Sequence, residues 1–189
     1  MVLYIHGFNS SPASHKARLL AQRLEAMGRG NDFACPALPD RPAHAMALLE
    51  QRLSSVQPAE VTLVGSSLGG YYATYLAEKR DVRAVLVNPA VEPYLGLQGY
   101  LGPQKNIYTG ATYELTPQHL AELRVFDVDR PARLMRYYLM VTTGDEVLDY
   151  RKAVQKYAGA KQLVVSGSDH GFGDFGDYLD SVLEFAGIA

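Results

Sequence analysis

One cysteine, Cys35, stands in 189 residues, so no internal disulfide can staple the fold and the chain reads as built for a reducing compartment. Cys35 itself is expected to be inert apolar packing in a second strand. Charge is scarcely one-sided: 18 Lys and Arg against 20 Asp and Glu leave a net −2, and an isoelectric point near 6.2 gives no basic footprint for nucleic acid. No apolar run approaches the roughly 18 residues of a membrane span. The first residues lack a basic segment and enter an apolar strand at once, which argues against a signal peptide and for a cytoplasmic location. An internal repeat, a phosphate loop and a metal-spaced cluster of His, Cys, Asp and Glu are also missing, so no metal or organic cofactor is expected. The apolar share of 48% excludes disorder by composition, and the length suits a single domain, 1–189, with a sizeable core.

The most informative string present is Val61-Thr-Leu-Val-Gly-Ser-Ser-Leu-Gly-Gly70. Its aliphatic start reads as a central parallel strand and Tyr71 to Lys79 as a helix, joined through Gly-x-Ser-x-Gly, the form of a nucleophile elbow. At the apex of so sharp a turn the side chain is exposed on a strained backbone, and its −2 and +2 neighbours need to be Gly. Ser67 meets that requirement. Ser66, flanked by Val64 and Leu68, does not. A Gly-rich turn that only packs helix on sheet, or that binds a dinucleotide phosphate, carries a similar pattern, so the partners decide.

They follow in the order Ser, Asp, His that an α/β-hydrolase uses. Tyr137 to Thr143 reads as a buried strand ending in Gly144-Asp145, and a carboxylate there lies at the edge where open α/β sheets build their sites. Lys161 to Ser166 is a further strand, and the loop after it carries His170 to the same edge. A serine hydroxyl needs a base to take its proton and return it to the leaving group, the work of His170, while Asp145 fixes the tautomer and steadies the imidazolium. Glu146, Asp149 and Asp169 compete for the acid role, but Glu146 is expected to point away and Asp149 to cap a helix beginning near Tyr150. The developing oxyanion needs two donors: the N–H of Leu68 after the nucleophile, and that of Phe8 in the His6-Gly7-Phe8-Asn9 loop after the strand Val2 to Ile5. His6 is expected to hold that loop by backbone hydrogen bonds, and His15, His44 and His119 to be ordinary surface residues.

Between the motifs the chain alternates strand and helix as a doubly wound sheet does. Helices are predicted over 14–27, 43–56 and 175–185, and strands over 33–38 and 82–87. Residues 91–131 break this rhythm with scattered Gly, Tyr and Leu. Such a segment is either a cap whose aromatics wall an acyl pocket or packing beside Asn88-Pro89. Arg124, Arg130, Arg133 and Arg136 form a solvated face with Glu122, Asp127 and Asp129, or hold a substrate phosphate.

The segments His6-Gly-Phe-Asn-Ser-Ser-Pro12, Gly65-Ser-Ser-Leu-Gly-Gly-Tyr-Tyr-Ala73, Asn88-Pro-Ala90, Gly144-Asp-Glu-Val-Leu-Asp-Tyr150 and Asp169-His-Gly-Phe172 together resemble the small bacterial esterases of the YqiA type, in the α/β-hydrolase superfamily. The resemblance runs over nearly the whole chain and implies a cytoplasmic serine esterase using Ser67, Asp145 and His170. No room remains before Val2 for the two antiparallel strands that usually open the superfamily's sheet. The expectation is therefore a trimmed α/β-hydrolase fold, a mostly parallel sheet of about six strands with helices on both faces and a short cap-like insert. The partner expected is a small-molecule acyl ester or thioester. An acyl-CoA thioesterase uses the same nucleophile, base and oxyanion donors, and a catalytically vestigial binding module would keep the fold without an activated serine.

Overall fold

The computed structural model describes residues 1–188. Six strands build one sheet: β1 (Val2–Ile5), β2 (Phe33–Ala34), β3 (Thr62–Ser66), β4 (Arg83–Val87), β7 (Tyr137–Thr142) and β8 (Lys161–Val165). They lie in the order β2-β1-β3-β4-β7-β8, and every neighbouring pair is parallel. The helices α1 (His15–Ala26), α2 (Pro42–Leu53), α3 (Leu68–Arg80), α6 (Tyr150–Lys156) and α7 (Leu179–Phe185) connect or follow them.

Period-two alternation sorts the strand side chains between two cores. Leu3, Ile5, Leu63, Leu86 and Leu139 pack with Leu49 of α2 and Leu76 of α3. Val2, Tyr4, Val64, Val85 and Met140 pack on the other face with Leu20 of α1 and Val182 of α7. A one-residue slip would exchange the two sets, and each buried aliphatic side chain contributes about 1.5–3 kcal/mol, so the register is tightly fixed. The result is a six-stranded parallel sheet with helices packed on both faces.

Three elements differ from the sequence reading. The strand predicted over 33–38 pairs only at Phe33 and Ala34. Pro36 has no N–H to give a ladder, and the N–H of Leu38 turns to His6 Nε2 at 3.2 Å. The predicted helix 43–56 is Pro42–Leu53, with Pro at its first position, where a missing N–H costs nothing. The last helix begins as a 3-10 turn over Phe175–Tyr178 before α7. Cys35 lies just past β2 and is half-buried; burial pushes its thiol up to about 12.

Residues 91–131 hold α4 (Pro93–Gly96), an antiparallel hairpin of β5 (Gly102–Lys105) and β6 (Thr112–Leu115), and α5 (Pro117–Val125). Leu123 is buried in the core beside Leu49 and Leu76, and Tyr71 donates to its carbonyl at 2.7 Å, so α5 belongs to the core; the hairpin is buried at its last residue, Leu115, and otherwise reaches elsewhere. His119, expected on the surface, is instead buried and closes a capping box: its Nδ1 accepts the Thr116 N–H at 3.2 Å. Of the arginines after it, Arg124, Arg130 and Arg133 are exposed, as a solvated face requires, but the partners differ from those expected. Arg133 and Arg136 both pair with Asp81, Arg124 lies over the Tyr94 ring, and Glu122 is taken by Arg41. Among the described residues no helix is long and apolar enough to cross a membrane.

Candidate active site

At the carboxyl end of β3 the chain turns into α3 through Ser67, whose φ of 54° and ψ of −121° lie in a region L side chains avoid. Such a conformation costs of order 1–3 kcal/mol. Backbone bonds hold it: the Ser67 N–H donates to Val87 O at 3.0 Å, and the Ser67 carbonyl accepts from Gly70 and Ala90. The flanking glycines are required by space. A Cβ at Gly65 would strike the Gly69 carbonyl, one at Gly69 the Ile5 carbonyl, and one at Gly7 would stand 3.1 Å from Ser67 Cβ.

His170 Nε2 lies 3.1 Å from Ser67 Oγ and its Nδ1 2.8 Å from Asp145 Oδ2. The other oxygen of Asp145 accepts the N–H groups of Val147 and Leu148 at 2.9 and 2.8 Å. Burial alone would raise the Asp145 carboxyl, but the His170 bond and these backbone donors outweigh it and hold the group below its ordinary value. The structure thus brings Ser67, His170 and Asp145 into one chain of contacts.

The loop bearing His170 is fastened at several points. Asn88 Nδ2 reaches the carbonyls of Asp169 and His170 at 3.3 and 3.2 Å, Thr142 Oγ1 donates to the Asp169 carbonyl at 3.0 Å, and Lys16 Nζ donates to the Gly171 carbonyl at 2.5 Å. Glu146, expected to point away, turns back instead and accepts the His170 N–H at 2.9 Å. Its carboxylate satisfies a donor that the open loop otherwise leaves unpaired. Asp149 accepts the Arg151 N–H at 3.1 Å as the cap of α6, and Asp169 contributes its carbonyl rather than its side chain.

Across from His170 runs the 6–12 loop. His6 Nδ1 donates to its neighbour Gly7 O at 3.2 Å while Nε2 accepts from Leu38, and burial lowers the pKa of the ring. The N–H groups of Phe8 and Leu68 donate to no acceptor among the described residues. Two hollows meet here, both touching Gly7, Phe8 and Ser10: one of about 330 Å³ walled by Leu38, Leu68, Tyr72 and Tyr113, and one of about 250 Å³ that contains Ser67 and His170.

Sequence reasoning missed how the hairpin reaches this loop. Asn9, at φ 51°, donates through Nδ2 to Gln104 Oε1 at 3.1 Å and accepts from Tyr113 OH at 2.9 Å. Asn106 Nδ2 donates to the Ser10 carbonyl at 2.8 Å, and Ile107 N–H to the Asn9 carbonyl at 3.3 Å. The one signal was Asn9 itself, a residue that tolerates positive φ and offers an amide on both sides.

A family model described as "Uncharacterised protein family (UPF0227)" matches residues 1–187. The UPF0227 protein YcfP of Salmonella paratyphi A is 23% identical over 98% of this chain and 98% of its own length. Among solved structures, α/β hydrolase domain-containing protein 10 from mouse superimposes with a TM-score of 0.73 at 15% identity, covering 97% of this chain and 89% of that one. Est1E from Butyrivibrio proteoclasticus, solved with ferulic acid bound, gives 0.68 at 15% identity over 97% and 86%. These similarities establish the fold.

Proposed function

The chain belongs to the UPF0227 family and has an α/β-hydrolase fold, and from the geometry at its sheet edge we propose that it is a serine hydrolase that cleaves carboxylic esters through an acyl-enzyme. The observation that carries this reading is the continuous contact Ser67 Oγ, His170 Nε2, His170 Nδ1, Asp145 Oδ2, at 3.1 and 2.8 Å.

With Nδ1–H donated to Asp145, Nε2 of the neutral ring is free to accept the Ser67 proton as Oγ attacks the ester carbonyl. The carbonyl π-electrons move onto oxygen, where the N–H groups of Phe8 and Leu68 are the donors available. Collapse of the tetrahedral species breaks the bond to the alkoxy oxygen, which takes the proton from His170 and leaves as alcohol. Water then repeats the sequence on the acyl-enzyme, giving the acid and regenerating Ser67. We read the chain as a single domain working in the cytoplasm, a reading supported by its lone Cys35.

A fluorophosphonate probe tests the proposal, because only an activated serine reacts with it. Wild-type protein is expected to label, and Ser67→Ala to lose labelling together with about 10³-fold or more of kcat on aryl acetates, with an unchanged melting curve. Retained labelling in Ser67→Ala, or its loss in Ser66→Ala instead, would overturn it.

A further inference from the structure

The smaller hollow is unlike the larger one in its charge. The donors Ser14, His15 and Lys16 line it beside Tyr108 and His170, and none of its described lining residues is Asp or Glu. Lys16 is only 9% exposed. Three of the five other lysines face a carboxylate within ion-pair distance: Lys79 with Glu50 at 2.6 Å, Lys152 with Glu92 at 3.5 Å, Lys156 with Asp127 at 3.9 Å. Lys16 has the Gly171 carbonyl as its acceptor and no such carboxylate among the described residues, so ammonium donors remain unused.

Beside it, Ser14 Oγ is buried and makes no hydrogen bond of normal geometry, with the Tyr4 hydroxyl close by. Ser14 occupies the cap position of α1, yet its side chain does not cap the helix, and the first turn holds no acidic residue. A hydroxyl without a well-formed hydrogen bond, an ammonium and the uncompensated positive end of a 12-residue helix therefore converge on one space.

Reaction geometry says which half of a substrate enters it. His170 must hand its proton to the departing oxygen, so the alcohol half lies on the His170 side of Ser67, in this hollow. The acyl half then faces the larger one beside Phe8 and Leu68. Resting on the ester-hydrolase reading, we infer that the smaller hollow is an anion subsite, in which Lys16, Ser14 and the start of α1 hold a carboxylate or phosphate carried by the alcohol half of the ester.

Burial brings the Lys16 ammonium down to about 8, against the opposing pull of Asp169 and Asp145. The groups around it are those two carboxylates, His15 and His170 in the lining or its loop, and the hydroxyls of Tyr4 and Tyr108. The subsite is therefore charged at neutral pH and discharges in mild alkali, so preference for an anionic ester should fade above about pH 8.

Three acetyl esters test the assignment: those of 3-hydroxybenzoate, of 3-hydroxyphenyl phosphate and of the neutral 3-hydroxybenzamide. At pH 7 kcat/KM for at least one anionic ester should exceed that for the amide by about tenfold or more, as a charge-assisted hydrogen bond implies, and whichever anion leads identifies the group. Lys16→Met should collapse that ratio and Ser14→Ala reduce it. If Lys16→Met does not fold, Ser14→Ala and the loss of the wild-type ratio between pH 7 and 9 carry the same test. A Lys16 that merely fastens the Gly171 loop would slow all three esters alike and leave the ratio in place; that outcome, or a wild-type ratio of one, overturns the subsite while Ser67 labelling still stands. No labelling and no hydrolysis of any ester would instead overturn the esterase reading, and the subsite with it.

Discussion

The two walls of this cleft are built by different means. On the sheet side, Ser67, Asp145 and His170 sit at or just past the ends of β3, β7 and β8, and their neighbourhood is backbone against backbone: Gly65 on Gly69, Gly69 on Ile5, Gly144 on Ser168. On the hairpin side, Gly96, Gly99, Gly102 and Gly110 would meet nothing within 4 Å if a Cβ were added, and attachment to the 6–12 loop relies mainly on side-chain amides and one tyrosine hydroxyl. Close-packed backbone has no slack, whereas a side-chain hydrogen bond is worth about 1 kcal/mol and can be re-formed with water. On the ester-hydrolase reading, the sheet wall is therefore expected to set the geometry of the chemistry and the hairpin wall to tune access and fit.

Asp145→Asn gives the largest contrast on the sheet side. The amide cannot hold the histidine tautomer, so kcat should fall about 10³- to 10⁴-fold, while Asp149→Asn, one helical cap away, should change it less than about threefold. A larger loss from Asp149→Asn would move the acid role and break the comparison. Next in size is Gly69→Ala. Its methyl would meet backbone carbonyls of Ile5 and His6, and a loss of about 3 kcal/mol is expected, roughly 10 °C in Tm for a chain of this length. Gly99→Ala, in open space on the hairpin side, should shift the melting curve by no more than about 2 °C. Equal losses at the two sites would mean that the elbow has room it is not credited with. The smallest effect belongs to Tyr113→Phe, which removes the bond to Asn9: kcat/KM should drop about threefold to tenfold with Tm nearly constant. A loss matching that of Asp145→Asn would make the hairpin part of the catalytic geometry after all.

The same division explains what could be read from the sequence. Gly65, Ser67 and Gly69 are neighbours along the chain, and the clash that demands glycine there is a local one. The placement of Asp145 and His170 beside Ser67 was legible because each follows a recognisable strand, and parallel strands bring their carboxyl ends to one edge. The fastening contacts were not. Tyr113 and Asn9 are 104 residues apart, Lys16 and Gly171 155, and no local pattern records such pairs. Glu146 was misread because strand alternation was carried past the end of β7 into a turn, where it no longer holds. His119 was misread because a capping histidine looks, in sequence, like any histidine three residues into a helix. The partner of Arg133 and Arg136 was missed on the same ground, since Asp81 lies far from them in sequence and next to them in space.

The brevity of β2 has a colloidal consequence. An exposed sheet edge normally offers a row of unpaired N–H and C=O groups on which a second chain can add a strand. Here that edge is two residues long, and Pro36 and Pro39 stand just beyond it with no N–H to offer. A foreign strand laid against this side would find too few donors to register on. The prolines that cut the strand short thus also protect the molecule from edge-to-edge aggregation on that flank.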